Sequence, residues 1–194
     1  MAANGSFTYH PPVGYEGSDA FTYTLSNGGG TDTDAATVNV TVSDMVWFLD
    51  ATASGPGTGS FADPFNTIAG FNSANALSGA VPNPKAGDVI SLSAGAYNEA
   101  SGINLRDGQV LIGEAVQLNT EFAADANSLA AYQAFAGSTG AAPTIAASAG
   151  HGISLGSDNT IRGVTIGDTS GSGISGNTFG TLTVTDVTVW MQGQ

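Results

Sequence analysis

Gly152-Ile153-Ser154-Leu155 leads through Asp158-Asn159 to Ile161-Arg162-Gly163-Val164-Thr165-Ile166, and the pattern then returns. About 21 to 23 residues further on, Gly173-Ile174-Ser175 leads through a Gly/Asn/Thr segment to Leu182-Thr183-Val184-Thr185-Asp186-Val187-Thr188-Val189. Short β-branched runs broken by Gly, Asn and Asp at this period predict a solenoid of stacked β-coils rather than helices. Each coil of such a stack buries its inward residues only against the coils above and below. The expected core is therefore a column of matched aliphatic side chains, Ile153 and Ile174 among them.

Upstream, the same texture runs from Gly87-Asp88-Val89-Ile90-Ser91-Leu92 through Gly95-Ala96-Tyr97 and Gly102-Ile103-Asn104-Leu105 to Gln109-Val110-Leu111-Ile112-Gly113. The unit opens at Met45-Val46-Trp47-Phe48-Leu49-Asp50 and passes a Gly55-to-Ser60 loop. Asp63 as N-cap, with Pro64 at the first helical position, then predicts a short helix. Phe65, Ile68, Ala69 and Leu77 are expected to cover one end of the stack, because solenoids need capped ends to stay soluble. An insertion interrupts the stack at about 117–143; Leu129, Tyr132 and Phe135 at helical spacing predict a projecting loop with a short helix over 121–135.

Residues 1–43 differ. Ser6–Tyr9, Ala20–Leu25 and Ala36–Val42 alternate apolar residues with Thr or Asn, the period of strands with one buried face. Pro11-Pro12-Val13-Gly14 and Asn27-Gly28-Gly29-Gly30 mark the breaks. Three such strands are too few for an independent domain, so further strands are expected upstream. The Asn4-to-Tyr9 segment, the Gly17-Ser18-Asp19-Ala20-Phe21-Thr22-Tyr23 order and the closing Thr37–Val42 run resemble the last half of a bacterial cadherin-like, Ig-type surface repeat. That resemblance implies a β-sandwich module of a large secreted or surface protein.

Residues 46–194 resemble the first coils of right-handed parallel β-helix proteins of the pectate-lyase-like superfamily. The expected fold class is thus all-β: partial Ig-like sandwich strands over 1–43, then a right-handed parallel β-helix with a short capping helix. Adhesins, polysaccharide lyases and glycosidases share that scaffold, so the fold does not select an activity.

Composition narrows the partners. Sixteen acidic residues face only Lys85, Arg106 and Arg162, a formal net charge of −13, while charged residues make up just 10% of the 194. Such a chain repels phosphate backbones and argues against nucleic-acid partners. Divalent cations and uncharged glycans suit it better. The absence of cysteine excludes disulfide staples and thiolate chemistry. No basic-then-apolar leader and no membrane-length apolar run occur, so an export signal is expected outside this chain.

Asp168, Asp186 and Arg162 are the candidate catalytic residues: stacking of Asp186 near Asp168, with Arg162 close by, would form a small carboxylate cluster. The competing reading of Asp158-Asn159 is a turn whose side chains bond their own backbone. Glu16, Asp19, Asp32 and Asp34 offer hard oxygen ligands near two loops, which makes calcium the candidate cofactor of the first unit, as its resemblance also implies. His10 and His151 lie in different units and form no His-based metal spacing. Lys85 is expected to be solvated. Trp47 and Trp190, with Tyr15, Tyr23 and Tyr97, have faces suited to sugar rings, but core or edge packing is the favoured reading.

The expectation from these readings is a surface adhesion or structural scaffold facing a polysaccharide or cell-surface glycan. The alternative is the N-terminal part of a polysaccharide lyase or glycosidase whose catalytic coils lie beyond Gln194. Unpaired strand edges further predict self-association of the isolated chain.

Overall fold

The computed structural model describes residues 6–9, 11–12, 14–26, 33–43, 45–77, 83–116, 140–178 and 180–190. The expected insertion lies outside them except for 140–143. The described chain is mostly β with one helix.

Near the N-terminus, β1 (Gly17–Ser26) and β2 (Thr33–Val42) pair antiparallel without a break, from Gly17 opposite Val42 to Ser26 opposite Thr33. Their alternation of apolar residues with Thr and Asn produces the face on which Phe21 meets Val38. Ser6–Tyr9, expected as a third strand, is irregular. Pro11 and Pro12 have no N–H to continue a ladder. The chain turns there instead, with Tyr15 N donating to Pro12 O at 3.0 Å. Phe7 still reaches the hairpin, its ring edge-on to Phe21 at 5.1 Å.

Every strand from residue 46 onward is parallel to its neighbours. β3 (Val46–Leu49), β4 (Val89–Leu92), β7 (Val110–Gly113), β10 (Thr160–Arg162) and β13 (Thr183–Thr185) form one sheet in that order. β5 (Ala96–Glu99), β8 (Thr144–Ala147), β11 (Thr165–Thr169) and β14 (Thr188–Val189) form the second. β6 (Ile103–Asn104), β9 (Ile153–Ser154) and β12 (Ile174–Ser175) form the third. From β4 onward the chain visits the three sheets in turn on each pass. The sequence repeat is this register: Ile153 pairs with Ile174, Thr160 with Thr183 and Thr165 with Thr188.

The apolar runs Ile161–Ile166 and Leu182–Val189 are each split between two sheets rather than forming one strand. Gly163 (φ 65) and Asp186 (φ 53), both one residue past the Arg162–Thr185 pair, turn the chain at the same corner of successive passes. A left-handed backbone reverses the strand's course there, which glycine permits freely and Asp tolerates.

Inward residues stack by column. Ile90, Leu111 and Ile161 are fully buried in the first sheet, Ile145 and Ile166 in the second with Tyr97 nearly so, and Ile103 and Ile153 in the third. Each such side chain contributes about 1.5–3 kcal/mol by burial. In the last pass the columns meet solvent, with Val184 41%, Val189 47% and Trp190 67% exposed.

The opposite end is covered. Helix α1 (Ile68–Asn75) begins four residues later than the Asp63 signal suggests, with Thr67 as N-cap accepting from Gly70 N at 3.0 Å. Asp63-Pro64-Phe65 stays extended because Phe65 bridges β3 in parallel, donating to Phe48 O and accepting from Asp50 N. Phe65 stacks on Trp47 at 6.4 Å, and Ile68 and Phe71 are buried, as expected of a cap. Ala69 and Leu77 are exposed, contrary to expectation. The helix closes the outer edge of β6 with side-chain amides: Asn72 Nδ2 donates to Gly102 O, Asn104 N donates to Asn72 Oδ1, and Asn75 Nδ2 donates to Asn104 O. On the inner edge Ile103 N donates to Gly152 O, and Leu105 N, just past β6, donates to Ser154 O. The amides therefore stand where another strand's backbone would be.

Candidate functional site

The third sheet carries a polar face. Because strand side chains alternate, Ile103, Ile153 and Ile174 point inward while Asn104, Ser154 and Ser175 point out. The register stacks those three into a ladder, with a rise of about 4.8 Å per pass. Beside it lies an open groove of about 460 Å³ lined by Asp107, His151, Ser154, Ser157, Ser175 and Asn177, among others.

The groove walls are held by hydrogen bonds between passes. Asp107 Oδ1 accepts from Ser157 N at 2.7 Å, and Ser157 Oγ donates to Thr178 O at 3.1 Å. His151 Nδ1 accepts from Ser172 N at 2.9 Å, so the neutral ring carries its proton on Nε2. Hydroxyls, an amide, a carboxylate and an imidazole line the space, and no Lys or Arg does. This chemistry suits a neutral, hydroxyl-rich ligand and disfavours a polyanion.

A second concavity of about 400 Å³ is lined by Asn98, Glu99, Ser148 and Asp168, with Ala100 and Ala146. Glu99 does not face it freely: its two oxygens accept from Ile68 N and Ala69 N at the start of α1. That carboxylate favours the helix N-terminus electrostatically.

The candidate cluster of Asp168, Asp186 and Arg162 is dispersed. Asp168 is exposed in β11, Arg162 sits in β10 of another sheet, and Asp186 occupies the corner beyond β13. The register sets Asp186 next to the Arg162–Thr185 pair and not over Asp168, so the anticipated stacking of the two acids does not occur. Asp158, at φ 56, bonds forward rather than locally: Oδ1 accepts from Thr181 N of the next pass at 2.9 Å. Asn159 is buried and donates back to Arg106 O and Gln109 O.

In the first unit, Tyr9 donates to Asp19 Oδ2 at 2.7 Å; the bond pushes the phenol up to about 12 and holds the Asp19 carboxyl below its usual range. Asp34 pairs with Leu25, six residues along β1 from Asp19, about 20 Å away. Asp32 and His10 lie outside the described residues. Among the described residues no group of three His, Asp or Glu converges as a metal cage would.

Glu16 is engaged elsewhere. Its Oε2 meets Lys85 Nζ at 2.6 Å, so Lys85 is ion-paired rather than simply solvated. Asp88 stands next to Glu16, near enough that the charge on Glu16 raises the Asp88 carboxyl, already pushed up by burial. Asp88 is 1% exposed and accepts from Trp47 Nε1 and Lys85 N, both at 2.7 Å. Sequence reasoning passed over Asp88, Gln109, Asn75 and Glu99. The first two share one signal: in Asp88-Val89, Gln109-Val110 and Asn159-Thr160 a polar side chain precedes the three middle strands of the first sheet. The aromatic candidates divide: Trp47 and Tyr97 are buried, Tyr15 donates to Ser18 O, and only Trp190 is broadly exposed among these four.

A family model for the bacterial Ig domain matches residues 1–41. The match supports an Ig-like repeat there and points to a surface or structural protein. No curated protein and no solved structure matches the chain. No helix among the described residues is long and apolar enough to cross a membrane.

Proposed function

We propose that this chain is part of a secreted or cell-surface bacterial protein, with an Ig-like unit over 1–43 leading into the first coils of a right-handed parallel β-helix over 46–194. It serves as an adhesion or structural scaffold whose third-sheet face meets a glycan. The observation that carries this reading is the groove beside the Asn104–Ser154–Ser175 ladder, continuous with the parallel stack in a chain that also matches an Ig domain. A saccharide strand would lie across the passes and bond hydroxyls and amide through its own hydroxyls. The test is an array of neutral and acidic oligosaccharides probed with the full chain. Binding to neutral glycans, lost in Ser154→Trp, is the expected result; no binding across the array removes the ligand from the proposal.

The second reading, a polysaccharide lyase or glycosidase, draws on Asp168 at the 400 Å³ concavity beside Glu99. Against it stands the engagement of both Glu99 oxygens by α1. Reducing-sugar or unsaturated-uronide release that disappears in Asp168→Ala would favour it over the scaffold.

A further inference from the structure

Two buried-edge carboxyls from different units meet in one place. Glu16 arrives from the residue before β1, and Asp88 from the residue before β4. Lys85, on the same loop as Asp88, faces Glu16 at 2.6 Å. Trp47, in the neighbouring strand β3, donates its indole N–H to Asp88. The Met45 backbone also bonds to Glu16, and Lys85 is the cation set between the two acids.

We propose that Glu16, Asp88, Lys85 and Trp47 form a proton-operated clasp between the Ig-like hairpin and the parallel stack, closed in mildly acidic surroundings and loosened at neutral pH. In the closed state protonated Asp88 donates to ionised Glu16, which also accepts from Lys85 Nζ. Asp88 keeps its bonds from Trp47 and the Lys85 amide in either state. When Asp88 loses its proton, the link to Glu16 becomes a repulsion between like charges. Glu16, being on the less buried side, is the partner that moves.

The protonation order supports this sequence of events. Burial pushes the Asp88 carboxyl up to about 6, against the bonds from Lys85 N and Trp47, and the neighbouring Glu16 charge adds to the rise. For Glu16, burial works against ionisation, but the bonds from Lys85 and Asp88 outweigh it and hold the group below its usual range. Glu16 is therefore ionised while Asp88 still holds a proton.

The chain contains no cysteine and two tryptophans, which makes it easy to instrument. In a Trp190→Phe background, Trp47 fluorescence followed against pH should show one transition centred near 6. Glu16→Gln removes the neighbouring charge and should lower that midpoint by about one unit. Spin labels on Thr22→Cys and Ala149→Cys report the separation of hairpin and stack: a narrow distance distribution at pH 5, a broader one at pH 8, and no pH dependence in Glu16→Gln. A distribution that is the same at both pH values, or a Trp47 midpoint unmoved by Glu16→Gln, overturns the clasp. Glu16→Gln replaces a partly exposed side chain, so the outcome does not depend on rescuing a buried-core variant.

Discussion

Asn75 and Gln109 exchange two side-chain hydrogen bonds inside the protein, Gln109 Nε2 donating to Asn75 Oδ1 at 2.8 Å and Asn75 Nδ2 to Gln109 Oε1 at 3.2 Å. Gln109 is fully buried and also accepts from Arg106 N and donates to Lys85 O. The pair thus ties the capping helix, the loop before β4 and the turn before β7 into one network. Gln109→Leu orphans several of these groups and should cost about 3 kcal/mol in urea denaturation. The Asn75→Leu, Gln109→Leu double variant should lose less than the sum of the two singles, because both remove the same bonds.

Folding takes up a proton at Asp88, which is protonated up to about pH 6 in the folded chain but only to its ordinary 3.8 when unfolded. Stability from this group therefore falls as pH rises through that window, by about 3 kcal/mol at most. Glu16, held below its ordinary 4.5, acts in the opposite sense and is lost as pH falls. Above about pH 4 the Asp88 contribution outweighs that of Glu16, so stability is expected to decline from pH 4 towards pH 6. Thermal melts across pH 4–8 should show this decline, and Asp88→Asn should flatten it.

Stacked passes approach closely at Gly102, where an added Cβ would lie 1.9 Å from Gly152 O. Neither backbone has room to yield without breaking the β6–β9 pairing. Gly102→Ala should destabilise the chain by about 3 kcal/mol; a calorimetric melting temperature equal to wild type would refute this contact.

Glu99 stabilises α1 from β5, 31 residues further along the chain, through Ile68 N and Ala69 N. Glu99→Gln should cost about 1 kcal/mol and Thr67→Ala a similar amount. Chemical denaturation distinguishes the two from exposed controls such as Ser73→Ala.

The outer edges of β12, β13 and β14 have no partner strand among the described residues, and Val184, Val189 and Trp190 are exposed beside them. Concentration-dependent association of the isolated chain is the expected behaviour. Sedimentation velocity should detect it, and Val184→Lys with Val189→Lys should suppress it. A monomer at all concentrations would count against edge pairing.

Much of the local pattern was legible in the residues. Ile153 and Ile174 sit in matched positions because a repeat in sequence becomes a register when strands are parallel. The breaks within Ile161–Ile166 and Leu182–Val189 were not legible, since Gly163 and Asp186 look like ordinary strand or turn residues until a corner requires their φ. The helix start was misplaced for a related reason: Asp63-Pro64 is a good helix signal, but the bridge from Phe65 to β3 outweighs local preference. At the candidate site, Ser154 and Ser175 were visible only as polar filler. Their alignment with Asn104 emerges from stacking.

The sequence by itself determined the period, the alternation of inward aliphatic and outward polar residues, and the acidic, cysteine-free surface, because these depend on spacing and composition alone. Only the tertiary structure decided which carboxylates meet. Asp186 misses Asp168, Glu99 goes to a helix end and Glu16 to Asp88 and Lys85. Such encounters depend on where each pass turns and which passes lie side by side, and electrostatic coupling follows distance in space, not separation along the chain.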